Sequence, residues 1–157
     1  AMKAFNAPHS VMLLEIDAVN MYDTAAENMG KVFISTELGG GGSTTAYTVE
    51  IAKKGIRNIL RHAGITQGDL EVDETLNLDM PDDNCYIFSE STGLVEHCVD
   101  LGDEVKSGQL IAKVHNIERT GSPPDKYHAK IDGIFTGKHF PGHVVNGDFL
   151  GVIAVPV

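Results

Sequence analysis

Along the first third of the chain, apolar positions come in short runs and then at helical spacings. Ser10-Val-Met-Leu-Leu-Glu-Ile16 is nearly continuous in apolar residues, the pattern of a strand buried on both faces. Met21 to Met29 reads as a short helix ended by Gly30. Lys31-Val-Phe-Ile-Ser-Thr36 reads as a second strand and runs into Glu37-Leu-Gly-Gly-Gly-Gly42. Ser43 or Thr44 is placed to cap a helix. Its apolar positions, Val49, Ala52, Ile56, Ile59, Leu60 and Ala63, fall mostly three and four apart, and Gly64 closes it.

From about Met80 the texture changes to short β-rich runs between turns. They are Cys85 to Glu90, Leu94 to Val99, Gln109 to His115, Tyr127 to Ile131 and Phe149 to Val155. The stretch Gln67 to Asp79 reads as an acidic linker, which divides the chain into 1–79 and 80–157. The second part repeats itself. Gly93 and Gly102 are matched by Gly133 and Gly142, and Val105-x-x-Gly108 by Val144-x-x-Gly147. An apolar strand follows each, Leu110 to Val114 and Phe149 to Ile153. Two related hairpin units predict a small all-β barrel or sandwich with pseudo-two-fold symmetry. The pattern resembles biotinyl and lipoyl carrier domains. The loop between the repeats, His115 to Asp125, holds no lysine, and Lys126 lacks the flanking Met of a carrier, so the scaffold is expected without the carrier function.

Charge narrows the partners. Twelve bases against 22 acids give a net charge of −10, which repels phosphate backbones, so no nucleic-acid partner is expected. Between Arg61 and Lys106 there are twelve acids and no Lys or Arg. Asp69, Glu71 and Asp73 alternate as in a calcium loop, but Glu74 stands where the turn glycine belongs; a solvated acidic surface is the simpler reading. No apolar stretch approaches the length of a membrane span. Cys85 and Cys98 form no disulfide framework and read as reduced core residues of a cytoplasmic protein. Ala1 before Met2 reads as a tag remnant.

Candidate chemistry is sparse. The run Gly39-Gly-Gly-Gly-Ser-Thr44 lacks the Lys of a Walker loop, so it reads as a strand-to-helix turn that needs unusual backbone angles. Glu37 lies at the end of a predicted buried strand, where α/β sheets place ligand sites, and a carboxylate there can act as a general base. By position alone a structural role comes first. His115-x-x-Glu118 has zinc-pair spacing, and so, loosely, has His139 to His143; neither has a third ligand at readable spacing, and turn and surface roles are preferred.

Two stretches go further. Lys31-Val-Phe-Ile-Ser-Thr-Glu-Leu-Gly-Gly-Gly-Gly42 through Arg57-Asn-Ile-Leu-Arg-His-Ala-Gly64 resembles the succinylglutamate desuccinylase/aspartoacylase family. So does Gly102-Asp-Glu-Val105 with Arg119-Thr-Gly121 and His139-Phe-Pro-Gly142. Thr36-Glu-Leu-Gly-Gly40 is the most specific motif, and within the family the chain most resembles the branch that acts in ectoine breakdown. The resemblance implies a zinc-carboxypeptidase-like deacylase that hydrolyses N-acyl amino acids. In it a zinc-bound water attacks the acyl carbonyl, and a glutamate takes the water's proton. Glu37 matches that glutamate, which reverses the order given by position.

The family's zinc ligands, a His-x-x-Glu pair and a later His, lie upstream of the segment present here, as do most substrate-binding arginines. The resemblance therefore implies the C-terminal part of such an enzyme. That part comprises the end of the catalytic α/β domain over 1–79, with strands plus one main helix, and the β module over 80–157. Zinc is expected in the full-length enzyme and none in this fragment, which should be inactive alone. Strands meant for the middle of a larger sheet would leave residues 1–79 prone to self-association. The rival expectation is a non-enzymatic β module that binds or scaffolds a partner.

Overall fold

A left-handed residue organises the start of the chain. Helix α1 (Met2–Phe5) ends at Asn6, whose backbone lies at φ 59° and ψ 54°. Asparagine enters that region more readily than most residues because its short amide finds nearby partners. Here Nδ2 donates to the Asp73 carbonyl and to Thr75 Oγ1, both at 2.9 Å. Oδ1 accepts from the Asp73 N–H at 2.7 Å and from Lys54 Nζ at 2.8 Å.

The structure is a computed structural model that describes residues 1–12 and 21–157. Strand β1 (His9–Met12) covers the start of the predicted Ser10–Ile16 run; Leu13 to Ile16 lies outside the described residues. Helix α2 (Tyr22–Asn28) matches the predicted short helix and ends at Gly30, with φ 68°. The predicted strand over Lys31–Thr36 is absent. The segment is irregular and Val32 is 83% exposed. An apolar run becomes a strand only when a neighbouring ladder takes its N–H and C=O groups, and no described strand pairs with this one.

Helix α3 (Ala46–His62) is the predicted main helix. Its cap is Thr45, one residue beyond the expected Ser43 or Thr44. Thr45 Oγ1 accepts from the Thr48 N–H at 3.2 Å, and Thr48 Oγ1 accepts from the Thr45 N–H at 3.0 Å. The face marked by the apolar spacing is only partly covered, with Ala52, Ile59 and Leu60 half-buried. The helix buries Gly55 and Asn58, while Val49 and Ile56 stay exposed. Gly55 is needed because a Cβ there would strike the Phe5 ring. Asn58 Nδ2 donates to the Glu71 carbonyl at 2.8 Å, and its Oδ1 accepts from the Glu71 N–H at 2.9 Å. The expected acidic linker is therefore pinned, with Glu71 and Asp73 each held at both backbone groups by an asparagine amide.

The chain divides into two units, Ala1–Asn77 and Leu78–Val157. Strand β2 (Leu76–Asp79) crosses the boundary. The remaining strands are β3 (Tyr86–Phe88), β4 (Gly93–His97), β5 (Glu104–Val105), β6 (Leu110–His115), β7 (Asp125–His128), β8 (Gly133–Lys138), β9 (His143–Val144) and β10 (Phe149–Pro156). β10 is flanked by β2, β3 and β8, and β5 follows β8; the second sheet runs β7-β6-β4-β9. Both sheets contribute to one core of Ile87, Val105, Ile111, Phe135, Val144, Leu150 and Ile153. β8 was not anticipated, because glycines and Lys138 interrupt its apolar pattern.

The repeat read from the glycines is structural. β4, β5 and β6 correspond to β8, β9 and β10, and each short strand pairs with the long first strand of the other repeat. Val105 sits opposite Gly133, and Val144 opposite Gly93. A Cβ at Gly93 would run into the His115 carbonyl, and one at Gly133 would lie 2.5 Å from the Ala154 carbonyl. Gly108 (φ 84°) and Gly147 (φ 93°) turn the chain at matching places. Of the expected barrel or sandwich, the closed barrel does not form. β3 pairs only with β10 and β7 only with β6, so two open sheets face each other and no ladder joins them. The likeness to biotinyl and lipoyl domains is not supported. Cys85 is buried as expected, but Cys98 is exposed.

Gly133→Ala should destabilise the second unit by about 1–3 kcal/mol, the usual cost of forcing extra volume into a packed site. Urea unfolding followed by the tyrosine signal measures it. An unchanged midpoint would mean the β8–β10 ladder widens freely.

Candidate active-site segment around Glu37

Glu37 sits in the irregular segment between α2 and α3, not at the end of a strand. Its side chain is exposed and forms no hydrogen bond or ion pair with another described residue. The segment is anchored before it and turned after it. Lys31 N–H donates to the Ala26 carbonyl at 3.0 Å, and Phe33 meets the Tyr22 ring edge-on at 5.6 Å. After Glu37, Ser43 doubles back on Gly40, donating from N–H at 3.1 Å and from Oγ at 3.0 Å to the same carbonyl.

The glycine run is a tight turn. Gly39, Gly41 and Gly42 have φ of 102°, 60° and 70°. A Cβ on Gly39 would lie 2.9 Å from the Ser43 carbonyl oxygen. Three left-handed positions in four residues require glycine. The turn delivers the chain into the Thr45 cap of α3, which leaves Glu37 seven residues upstream of Thr44 on an open approach.

The other candidates resolve locally. His115 Nε2 lies 2.7 Å from Glu96 Oε2, not beside Glu118. Asn116 Oδ1 instead accepts the Glu118 and Arg119 N–H groups in a turn. Lys113 bonding, then His115 bonding, lowers the Glu96 carboxyl. His139 presents Nδ1 to the Phe149 carbonyl at 2.9 Å and Nε2 to the His143 carbonyl at 3.0 Å, so neither nitrogen is turned outward as a ligand. Two of the three alternating acids of the supposed calcium loop are taken by α3, and Asp69 offers Arg61 its backbone carbonyl at 2.8 Å. Glu71 pairs with Arg61 at 2.9 Å and Arg57 at 3.5 Å, and Asp73 with Lys54 at 2.8 Å. No group of three His, Cys, Asp or Glu side chains suited to a metal occurs among the described residues. No helix among them is long and apolar enough to cross a membrane.

Residues 1–63, which include Glu37, the glycine turn and α3, match the succinylglutamate desuccinylase/aspartoacylase catalytic domain. The chain belongs to the succinylglutamate desuccinylase/aspartoacylase family. It is 47% identical to N-alpha-acetyl-L-2,4-diaminobutyric acid deacetylase of Halomonas elongata over 154 residues, 97% of this chain and 45% of that protein. The product-bound ectoine utilization protein EutE (DoeB) from Ruegeria pomeroyi superposes with a TM-score of 0.94 at 56% identity, covering 98% of this chain and 47% of that one. A succinylglutamate desuccinylase from a Silicibacter species superposes at 0.92 with 53% identity, over 99% of this chain and 47% of its own. The chain spans about half the length of the relatives it matches.

The Arg61 hydrogen bond, then the charge of Arg57, holds the Glu71 carboxyl below its ordinary value of 4.5. A carboxyl depressed in the folded state stabilises it above the unfolded pKa, and that contribution is lost as pH falls through the folded value. Below pH 4.5 the Glu71 segment should therefore loosen from α3, seen as shifts of the Glu71 and Asn58 amide resonances. A Glu71 midpoint at or above 4.5 would contradict the pairing.

Proposed function

We propose that this chain is the C-terminal portion of an N-acyl amino acid deacylase and supplies its proton-transfer carboxylate, Glu37. Support comes from one juxtaposition. The carboxylate that carries the family motif is exposed, and the glycine turn behind it is rigidly defined. The Halomonas elongata relative acts, by its name, on N-alpha-acetyl-L-2,4-diaminobutyric acid, which favours an acetylated diamino acid as substrate.

The zinc implied by the family resemblance does not fit the described residues, which offer no three-member donor set, and no step here runs through it. Glu37 takes a proton from the attacking water as its oxygen bonds to the acyl carbon. It returns that proton to the amine nitrogen as the C–N bond breaks. The chain by itself is proposed to be inactive, its remaining machinery lying in the half of the relatives' length it does not span.

Glu37→Gln tests this in a protein where the present sequence is joined to the remaining half of a full-length relative. The amide is nearly isosteric and accepts no proton, so deacetylation should fall about 10²–10⁴-fold with folding unchanged. Turnover within a few-fold of the parent would make Glu37 a structural residue.

Residues 1–79 are proposed to mediate self-association. Tyr22, Met29 and Val32 are 82%, 72% and 83% exposed, and Met12 and Ile56 are 60% and 57% exposed. Apolar surface on this scale recruits a partner. Sedimentation at high micromolar concentration should show dimers or larger species, and Met29→Asp with Val32→Asp should shift them toward monomer. A strictly monomeric parent chain would overturn the proposal.

A further inference from the structure

The open seam of the second unit forms a groove. It has a volume of about 390 Å³ and runs along β3 and β7, which no ladder joins. One bond system crosses the seam. The Tyr127 hydroxyl lies 2.7 Å from Ser91 Oγ and accepts from the Glu90 N–H at 3.0 Å, which holds β7 to the turn after β3 without a ladder.

The lining has two chemistries. Phe88, 51% exposed and stacked on Tyr86, supplies an apolar wall, while its strand neighbour Ile87 faces the core. Lys126 and Lys130 supply the positive side, against one acid in the lining, Glu90. This runs against the charge of the whole chain, which is −10. Most other lysines near acids are neutralised, as Lys53, Lys54, Lys106 and Lys113 are by carboxylates at 2.6–3.1 Å. Among the described residues, no acid pairs with Lys126 or Lys130.

We propose that this groove binds a small carboxylate whose apolar body lies on Phe88 and whose charge is met by Lys126 and Lys130. Two ammonium groups beside an apolar wall select an anion with a hydrophobic part. The volume falls within the range of small-molecule sites, and the defined Tyr127 bridge keeps the wall in place. A phosphate backbone is a poor occupant, because the rest of the acidic chain repels it. The site lies wholly within residues 87–130 and is independent of the deacylase reading.

The test uses the full chain and three probes, followed by NMR shifts of the Tyr127, Lys126 and Lys130 amides and by calorimetry. Benzoate combines body and charge, benzamide keeps the body alone, and acetate keeps the charge alone. Benzoate should bind saturably, with benzamide and acetate each about tenfold or more weaker. Lys126→Ala with Lys130→Ala should remove the benzoate response while leaving the unfolding midpoint near that of the parent, since both side chains are exposed. Glu90→Gln should strengthen binding by removing the opposing charge. Benzamide binding as well as benzoate, a double variant that binds benzoate normally, or no saturable shift with benzoate would each overturn the proposal.

Discussion

Every buried backbone N–H and C=O must find a partner, and both units of this chain are shaped by how they meet that requirement. In the first unit there is little sheet to supply partners. Two asparagine side chains take over the role of a neighbouring strand. Asn58 holds both backbone groups of Glu71, and Asn6 holds both of Asp73, two residues on. A primary amide carries a donor and an acceptor side by side, so it mimics a peptide unit. That explains why the helix buries Asn58 and Gly55 and leaves Ile56 outside.

In the second unit strands do the pairing, and the requirement becomes one of approach distance. Gly93 and Gly133 let a strand come close to a facing carbonyl, and each receives the valine of the other repeat. The exchange ties the two repeats into one core that neither could form alone. It also explains why the fold remains two open sheets. The reciprocal pairs join β4 to β9 and β5 to β8, while β3 and β7 keep a free edge each, with a groove along them.

Glu37 stands outside both systems. It lies between an anchored aromatic contact and a turn that three positive-φ glycines define, and no described neighbour neutralises it. The family match over residues 1–63 supplies the reason to assign it chemistry.

The amino-acid sequence by itself determined the main helix, the short helix ended by Gly30 and the glycine-valine repeat. These rest on local physics: apolar spacing, capping hydroxyls and the freedom of glycine at positive φ. The Thr36–Gly40 motif was legible for the same reason, since it is contiguous. Tertiary structure alone decided that α3 buries Gly55 and Asn58, that Lys31–Thr36 is not a strand, that Cys98 is exposed, and that the repeats exchange their short strands without closing a barrel. Each of these depends on a partner far away in sequence. Whether Val32 meets a ladder, or Glu71 an amide, depends on what the fold brings alongside it, and apolar periodicity carries no information about a neighbour that pairs through backbone atoms.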